Sequence, residues 1–283
     1  MGATQSNGTL REWSESARYW EKHAATLRAI FAPATTALIE AAGIVTGQSI
    51  LDVAAGTGDP SLTIAEVVGP TGSVTCTDAI RDMVRAAERE AQRRHLTNVT
   101  VCHCPADALP FPDDTFDAVV SRLGVMFFPE PVNALRELLR VAKPGGFLTL
   151  VAWEASELNP FLNVVTAVLS RYVETPAVDS DAPGAFRFAE HGKLAQVLSD
   201  AGASEVRERT LSFQIEASLS FEEFWELRSE TSATLREKLQ TLSENELTRL
   251  KNEVEEASRE FFTRQGMNFP AQMIVVAGKK RIV

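Results

Sequence analysis

The chain is poor in the residues that many catalytic and structural devices need. It has three cysteines, Cys76, Cys102 and Cys104, in 283 residues. That is too few for a disulfide framework, and a reducing, cytoplasmic setting is expected. With four histidines and no Gly-x-Ser-x-Gly elbow, a hydrolase-type nucleophile–base pair is not expected. Nothing offsets the formal net charge of −10 with a dense basic cluster, since Lys279-Lys280-Arg281 is short and reads as a solvated tail. DNA and RNA are therefore not expected as partners. No uninterrupted apolar stretch reaches the roughly 18 residues of a membrane span. Residues 29–45 come nearest, and Pro33 and Glu40 interrupt them. Met1 to Asn7 is polar and shows no signal-like apolar core. Cys102-His103-Cys104 is no metal site, because alternate strand residues face opposite ways and no second Cys/His cluster completes a ligand set.

What is present is ordinary globular composition, 45% hydrophobic, and enough length for one large domain or one domain with an insertion. Within it, residues 50–58, Ile-Leu-Asp-Val-Ala-Ala-Gly-Thr-Gly, stand out. An apolar run reads as a buried parallel strand. Gly56 and Gly58 at its end allow a sharp turn and close approach of backbone to a ligand. Asp78 closes a second apolar run 20 residues later, where an acid can accept both hydroxyls of a ribose. The dinucleotide pattern G-x-G-x-x-G is incomplete, for Asp59-Pro60 follows and a third, helix-packing glycine is missing. Asp59 also opposes a pyrophosphate at the helix N-terminus. A nucleoside ligand without phosphates fits better.

Asp52-x-x-x-Gly56-x-Gly58 followed by Asp78 resembles the first motif and following acid of class I S-adenosylmethionine-dependent methyltransferases, most closely the ubiquinone/menaquinone-biosynthesis branch. Ala106–Phe111, Phe116–Ser121 and Arg140–Gly146 resemble later segments of that family in order and spacing, so that the likeness covers roughly residues 45–155. The resemblance implies a Rossmann-like α/β fold: a seven-stranded, mostly parallel sheet with one antiparallel strand, helices on both faces, and a helical lid or insertion. It implies S-adenosyl-L-methionine as cofactor, S-adenosyl-L-homocysteine as product, and a small-molecule acceptor.

Strands are expected at 49–54, 73–78, 99–104, 116–121, 146–153, 205–215 and 271–278. Helices are expected at 11–31, from Pro33 to Gly43, and at 60–68, 80–95, 130–142, 159–174 and 191–201. Residues 1–10 read as disordered and 175–186 as a mobile loop. Ser220-x-x-Glu223 and Ser243-x-x-Glu246 are capping boxes that each start a helix, the second with Leu247, Leu250, Val254, Ala257 and Phe261 on one stripe. The domain reading is 1–44 as helices capping the cofactor, 45–155 as the cofactor-binding core, 156–190 as a lid, and 191–283 as the rest of the sheet with 220–264 inserted in its final hairpin.

The expected cofactor contacts are Tyr19 and Trp20 on the first helix, Asp52, Ala54, Gly56, Thr57 and Gly58 in the loop, then Asp78, Ala79, Ile80, Met83, Ala106, Asp107, Ala108 and Ser121. Arg122, Met126, Phe127, Trp153 and Phe161 are the expected acceptor-pocket residues. Arg122 either pairs with an acid of substrate or cofactor or caps a neighbouring loop. Met126 and Phe127 either wall the pocket or pack sheet on helix. No catalytic residue is identified; Arg122 and His23 are the candidates. The sulfonium is a built-in leaving group, so alignment supplies much of the rate. Whether oxygen, nitrogen, carbon or sulfur is methylated stays open, as does monomer or homodimer. A non-catalytic cofactor-binding or scaffold protein is the first alternative and an NAD(P)-dependent oxidoreductase the second. Nucleic-acid methylation is opposed by the acidic charge and by the lack of an Asn-Pro-Pro-Tyr/Phe motif.

Overall fold

A computed structural model describes residues 2–174 and 179–282, without the side chains of 2–7. Its strands are β1 (Ser49–Val53), β2 (Ser73–Asp78), β3 (Val99–His103), β4 (Phe116–Arg122), β5 (Ala142–Trp153), β6 (Ser204–Ala217), the two-residue β7 (Phe262–Thr263) and β8 (Gly266–Lys279). They form one sheet in the order β3-β2-β1-β4-β5-β8-β6, with β7 paired to β8 off that path. β1 to β5 are mutually parallel, and β8 runs antiparallel to both β5 and β6. Helices cover both faces. In β1, Ile50, Leu51 and Val53 are all buried, as a parallel strand covered on both faces requires. The chain order reverses between β1 and β4, so a crevice opens beyond their carboxyl ends.

The helices are α1 (Gly2–Lys22), α2 (Ala24–Ile30), α3 (Ala32–Ala41), α4 (Ser61–Val68), α5 (Arg81–Arg93), α6 (Pro131–Val141), α7 (Pro160–Leu169), α8 (Lys193–Asp200), α9 (Phe221–Thr231), α10 (Ala233–Leu239) and α11 (Glu244–Ser258). Among the described residues, no helix is long and apolar enough to cross a membrane. Three expectations need correction. Residues 2–10 are helical, because α1 docks against α5, α9 and α10 and is thereby tied down. The expected helix over 11–31 is two helices, broken after Lys22. The stripe of α11 runs through Leu250, Val254 and Ser258 rather than Ala257, which is exposed; the Ser258 hydroxyl satisfies itself on the Val254 carbonyl at 2.7 Å. Of the loop expected over 175–186, residues 175–178 lie outside the described residues.

Both capping boxes form, with Ser220 and Ser243 each exchanging bonds with the glutamate three residues on. The helix begun at Ser220 stops early. Ser232 turns its hydroxyl to the Leu235 N–H and starts α10 instead, the local competition that makes serine a capping residue. The helices α9 to α11 all lie between β6 and β8, whose pairing closes the sheet from Ser204↔Lys279 to Ala217↔Met267.

Candidate functional site

The carboxyl ends of the four strands β1 to β4 meet at one cavity. It is lined by Val53–Thr57 after β1, Asp78–Ile80 after β2, Cys104–Asp107 after β3 and Arg122–Gly124 after β4. Helix α1 covers it with Thr9, Leu10, Trp13 and Trp20.

The loop after β1 is shaped by backbone. Ala54, Gly56 and Gly58 all have positive φ, at 59°, 58° and 106°. The two glycines serve different ends. A Cβ on Gly56 meets nothing within 4 Å, so its absence leaves room inside the cavity. A Cβ on Gly58 presses on Leu62 and on Ala87 of α5 at 3.1–3.2 Å. Gly58 thus lies outside the lining and does the helix packing that a third glycine performs in the dinucleotide loop. The Ala54 methyl packs where position 124 is glycine: a Cβ there would lie 2.6 Å from that of Ala54.

Asp78 is locked at the cavity edge. Its Oδ2 accepts the Gly56 N–H at 2.9 Å and its Oδ1 the Ile80 N–H at 2.8 Å. Burial raises its pKa, and these bonds work against that rise. A carboxylate offers about four acceptor sites, so lone pairs remain for a ligand. Asp107 stands exposed on the rim.

Asp52 lies behind the loop, fully buried. Ser61 donates to its Oδ2 at 2.6 Å, and Oδ1 has no partner. Desolvation pushes its pKa up to about 7 against the opposing pull of Ser61 and Arg122. Asp52 does not touch the cavity. Ser121 is likewise fully buried beneath it, its hydroxyl unpaired.

Arg122, on the cavity lining, makes the contacts of a loop clamp. It pairs with Asp59 at 2.7 Å, donates to the Asp59 carbonyl at 3.0 Å and to Thr35 Oγ1 at 2.7 Å, and lies over the Phe31 ring. Its charge is spent inside the chain. His23 lies outside the cavity, with Nε2 2.6 Å from Glu230 of α9. Tyr19 faces away, its ring under Arg236 and Arg18. Ala108 is exposed and off the lining. Trp20, Ala54, Gly56, Thr57, Asp78, Ala79, Ile80, Met83, Ala106 and Asp107 do come together there.

Four expected acceptor residues, Met126, Phe127, Trp153 and Phe161, line a second cavity. Trp13, Trp20, Leu27, Phe31, Leu123 and Phe127 line both cavities and form the partition. Trp13 sits edge-on to Trp20 at 5.4 Å and to Phe127 at 5.1 Å. Trp13, Cys104 and Arg228 were not among the site residues expected from the sequence. Cys104 directly follows the third strand, the place where such a cavity opens, and that was its signal.

Over 171 residues the chain is 35% identical to the uncharacterized protein Rv1405c of Mycobacterium tuberculosis, a match covering 60% of this chain and 59% of that one. The chain thus spans about three fifths of the length of that relative. It is 33% identical over 171 residues to the demethylmenaquinone methyltransferase of Listeria welshimeri, covering 57% and 72%. In fold it is similar to phosphoethanolamine N-methyltransferase 2 of Haemonchus contortus, solved in complex with S-adenosyl-L-methionine, with a TM-score of 0.56 at 16% identity over 93% of this chain and 57% of that one. Residues 34–177, just over half of the 283, match the ubiE/COQ5 methyltransferase family, and the chain belongs to it.

Proposed function

We propose that this chain transfers a methyl group from S-adenosyl-L-methionine to a small, partly apolar acceptor with aromatic or quinone-like character, in the cytoplasm. The observation that carries the reading is Asp78, held between two backbone N–H groups at the mouth of a strand-end cavity. The residues fit such a cofactor. Asp78 keeps lone pairs for two ribose hydroxyls, the missing Cβ of Gly56 leaves space beside them, and Asp107 on the rim can accept an adenine amino group. Ile80 and Met83 supply apolar walls for a flat ring.

When bound, the cofactor supplies an electrophilic methyl on a sulfonium leaving group. The chain's own work is positioning and exclusion of water. Trp13 and Trp20 place aromatic faces over the cavity, where a cation gains about 0.5–2 kcal/mol. In this reading residues 45–155 hold the cofactor, while α1, residues 156–190 and residues 220–264 cover it and shape the acceptor's place. Neither His23 nor Arg122 is positioned as a base, so alignment carries the rate and the acceptor brings its own nucleophilicity. The relative named demethylmenaquinone methyltransferase supports a quinone-like acceptor.

Calorimetric titration with S-adenosyl-L-methionine, S-adenosyl-L-homocysteine and NADH tests the reading. Binding of the first two without NADH is expected. Binding of NADH alone overturns it in favour of a redox enzyme.

A further inference from the structure

Two arginine side chains are buried near these cavities, Arg122 on the lining of the first and Arg228 on that of the second, and they differ in their counter-ions. Arg122 has its counter-ion, Asp59, at 2.7 Å. Arg228 of α9 has none among the described residues. It is 9% exposed. Its Nη2 donates to the Leu162 carbonyl at 3.3 Å, and its Nε is buried with no partner at all. The guanidinium lies 5.2 Å from the Phe161 ring. Burial pulls its pKa down to about 10, with no neighbouring charge opposing that fall. Glu12 also lines this cavity but forms no ion pair with Arg228.

A buried cation without a counter-ion is costly, and a guanidinium stays charged at neutral pH. Such a group is retained where something else supplies the negative charge. Arg228 opens onto a cavity of about 300 Å³ whose other walls include Met126, Phe127, Trp153, Phe161 and Leu227. That is the make-up of a small-ligand site: largely apolar walls with a few polar groups, among which Arg228 is the buried cation and Glu12, Ser16 and Thr231 are further polar side chains. The guanidinium fork matches a pair of oxygens in one plane.

We infer that Arg228 anchors an acidic oxygen of the methyl acceptor, a carboxylate or an ionised phenol carried on a ring-sized apolar body. The body lies against Phe161, Trp153 and Met126, and its far end reaches toward Trp13 and Phe127, where the two cavities adjoin and the acceptor can meet the methyl group. The assignment of an acceptor rests on the methyltransferase reading; the preference of the cavity for an anion does not.

The full chain is titrated calorimetrically at pH 7.5 with 2-naphthoate, with pentafluorophenol (ionised at this pH) and with neutral 2-naphthamide, each with and without S-adenosyl-L-homocysteine. The wild type is expected to bind at least one anion about tenfold or more tighter than the amide, as a charged hydrogen bond requires. Preference for the naphthoate identifies a carboxylate, and preference for the phenolate an ionised phenol. R228M is expected to bind anion and amide alike, R228K to keep part of the preference, and both to bind S-adenosyl-L-homocysteine as the wild type does. A purely structural Arg228 would not link its charge to ligand charge. Should R228M not fold, R228Q, which retains a donor for Leu162, carries the comparison. Equal binding of anions and amide by the wild type, or a preference that survives the loss of the charge, overturns the proposal. Failure to bind S-adenosyl-L-homocysteine removes the methyltransferase reading instead, and the titrations without it still decide the role of Arg228.

Discussion

The cofactor side and the acceptor side of this molecule are built by different means. On the cofactor side the backbone does most of the work, over short distances in sequence. The bond from Gly56 N–H to Asp78 spans 22 positions, within one strand–helix–strand unit. On the acceptor side the walls are side chains from α1, α7, α9 and the loop after β4. There the bond from Trp20 Nε1 to the Thr231 carbonyl spans 211 positions. A site made from backbone turns repeats wherever the turn repeats. A site made from converging side chains is particular to one chain.

The sharpest break of that contrast lies in the loop. Gly56→Val puts a β-branched residue at φ +58°, a conformation costing about 1–3 kcal/mol, and sends its methyls into the cavity. Binding of S-adenosyl-L-methionine is expected to fall below detection by calorimetry while the chain still folds. Gly58→Val makes the useful partner. Its Cβ strikes Leu62 and Ala87, so its loss appears first in Tm. Normal cofactor affinity in Gly56→Val would remove the loop from the site.

The second prediction concerns the buried acid behind the loop. Asp52 has an ordinary pKa of 3.8 when unfolded and about 7 when folded. Between those values the folded state holds a proton that the unfolded state has lost, so stability is greatest at low pH and falls as pH rises through about 7. A fully buried group shifted that far accounts for on the order of 4 kcal/mol across the window. Asp52→Asn, which keeps an acceptor for Ser61, is expected to remove this slope. The measurement is the Tm difference between variant and wild type from pH 4 to pH 8. His191, whose pKa its bonds to Glu154 and Glu208 raise, adds a slope of the same sign but cancels in the difference. A flat difference would place Asp52 as an ionised group throughout.

Asp78→Ala removes a ligand acceptor and also the acceptor of the Gly56 and Ile80 N–H groups. Affinity for S-adenosyl-L-methionine is expected to weaken by roughly 1–3 kcal/mol, with a fall in Tm from the two lost loop bonds. Unchanged affinity in a folded variant would take Asp78 out of the site.

The same contrast explains what was legible in the sequence. The alternating strands and helices of the core, the glycine loop and the strand-end acids are legible in periodicity and spacing, which are local, whereas the seven-stranded sheet with one antiparallel strand was implied by the family resemblance and the strand order is visible only in the structure. Tyr19 and Trp20 are adjacent, so their two side chains point about 100° apart on the helix. Which of them meets the cavity depends on how α1 docks, and no local pattern contains that. Arg122 was ambiguous for a similar reason: its partner Asp59 sits 63 positions away, across the crevice. Arg228 left a fainter trace. Phe221, Phe224 and Arg228 stand at i, i+3 and i+7, so a charge lies on the apolar face of α9. Charge on an apolar stripe is a signal in its own right.

The smallest expected effect tests how the cover is held. The α9 helix ends at Thr231, whose carbonyl is among the last that no helical N–H can reach. The indole N–H of Trp20 meets it at 3.0 Å, while the ring packs on Ile80 and Met83. This bond joins α1 to α9 on the acceptor side, in addition to the exposed pairs of Lys22 with Glu226 and Glu230. Trp20→Phe keeps most of the ring contact and loses that bond, which is worth about 1 kcal/mol. Amide exchange in α1 and at the end of α9 is expected to rise by up to about fivefold, as the same energy requires, while β1 to β4 stay as protected as before. The cofactor side should register this only weakly, because Asp78 and Gly56 are held by their own backbone bonds. Exchange that is unchanged in α1 would mean that the cover is secured elsewhere, by Lys22 and His23 on Glu230. A loss of protection that spread into β1 and β2 would mean that the two sides fold as one unit and that the contrast between them ends at the level of contacts.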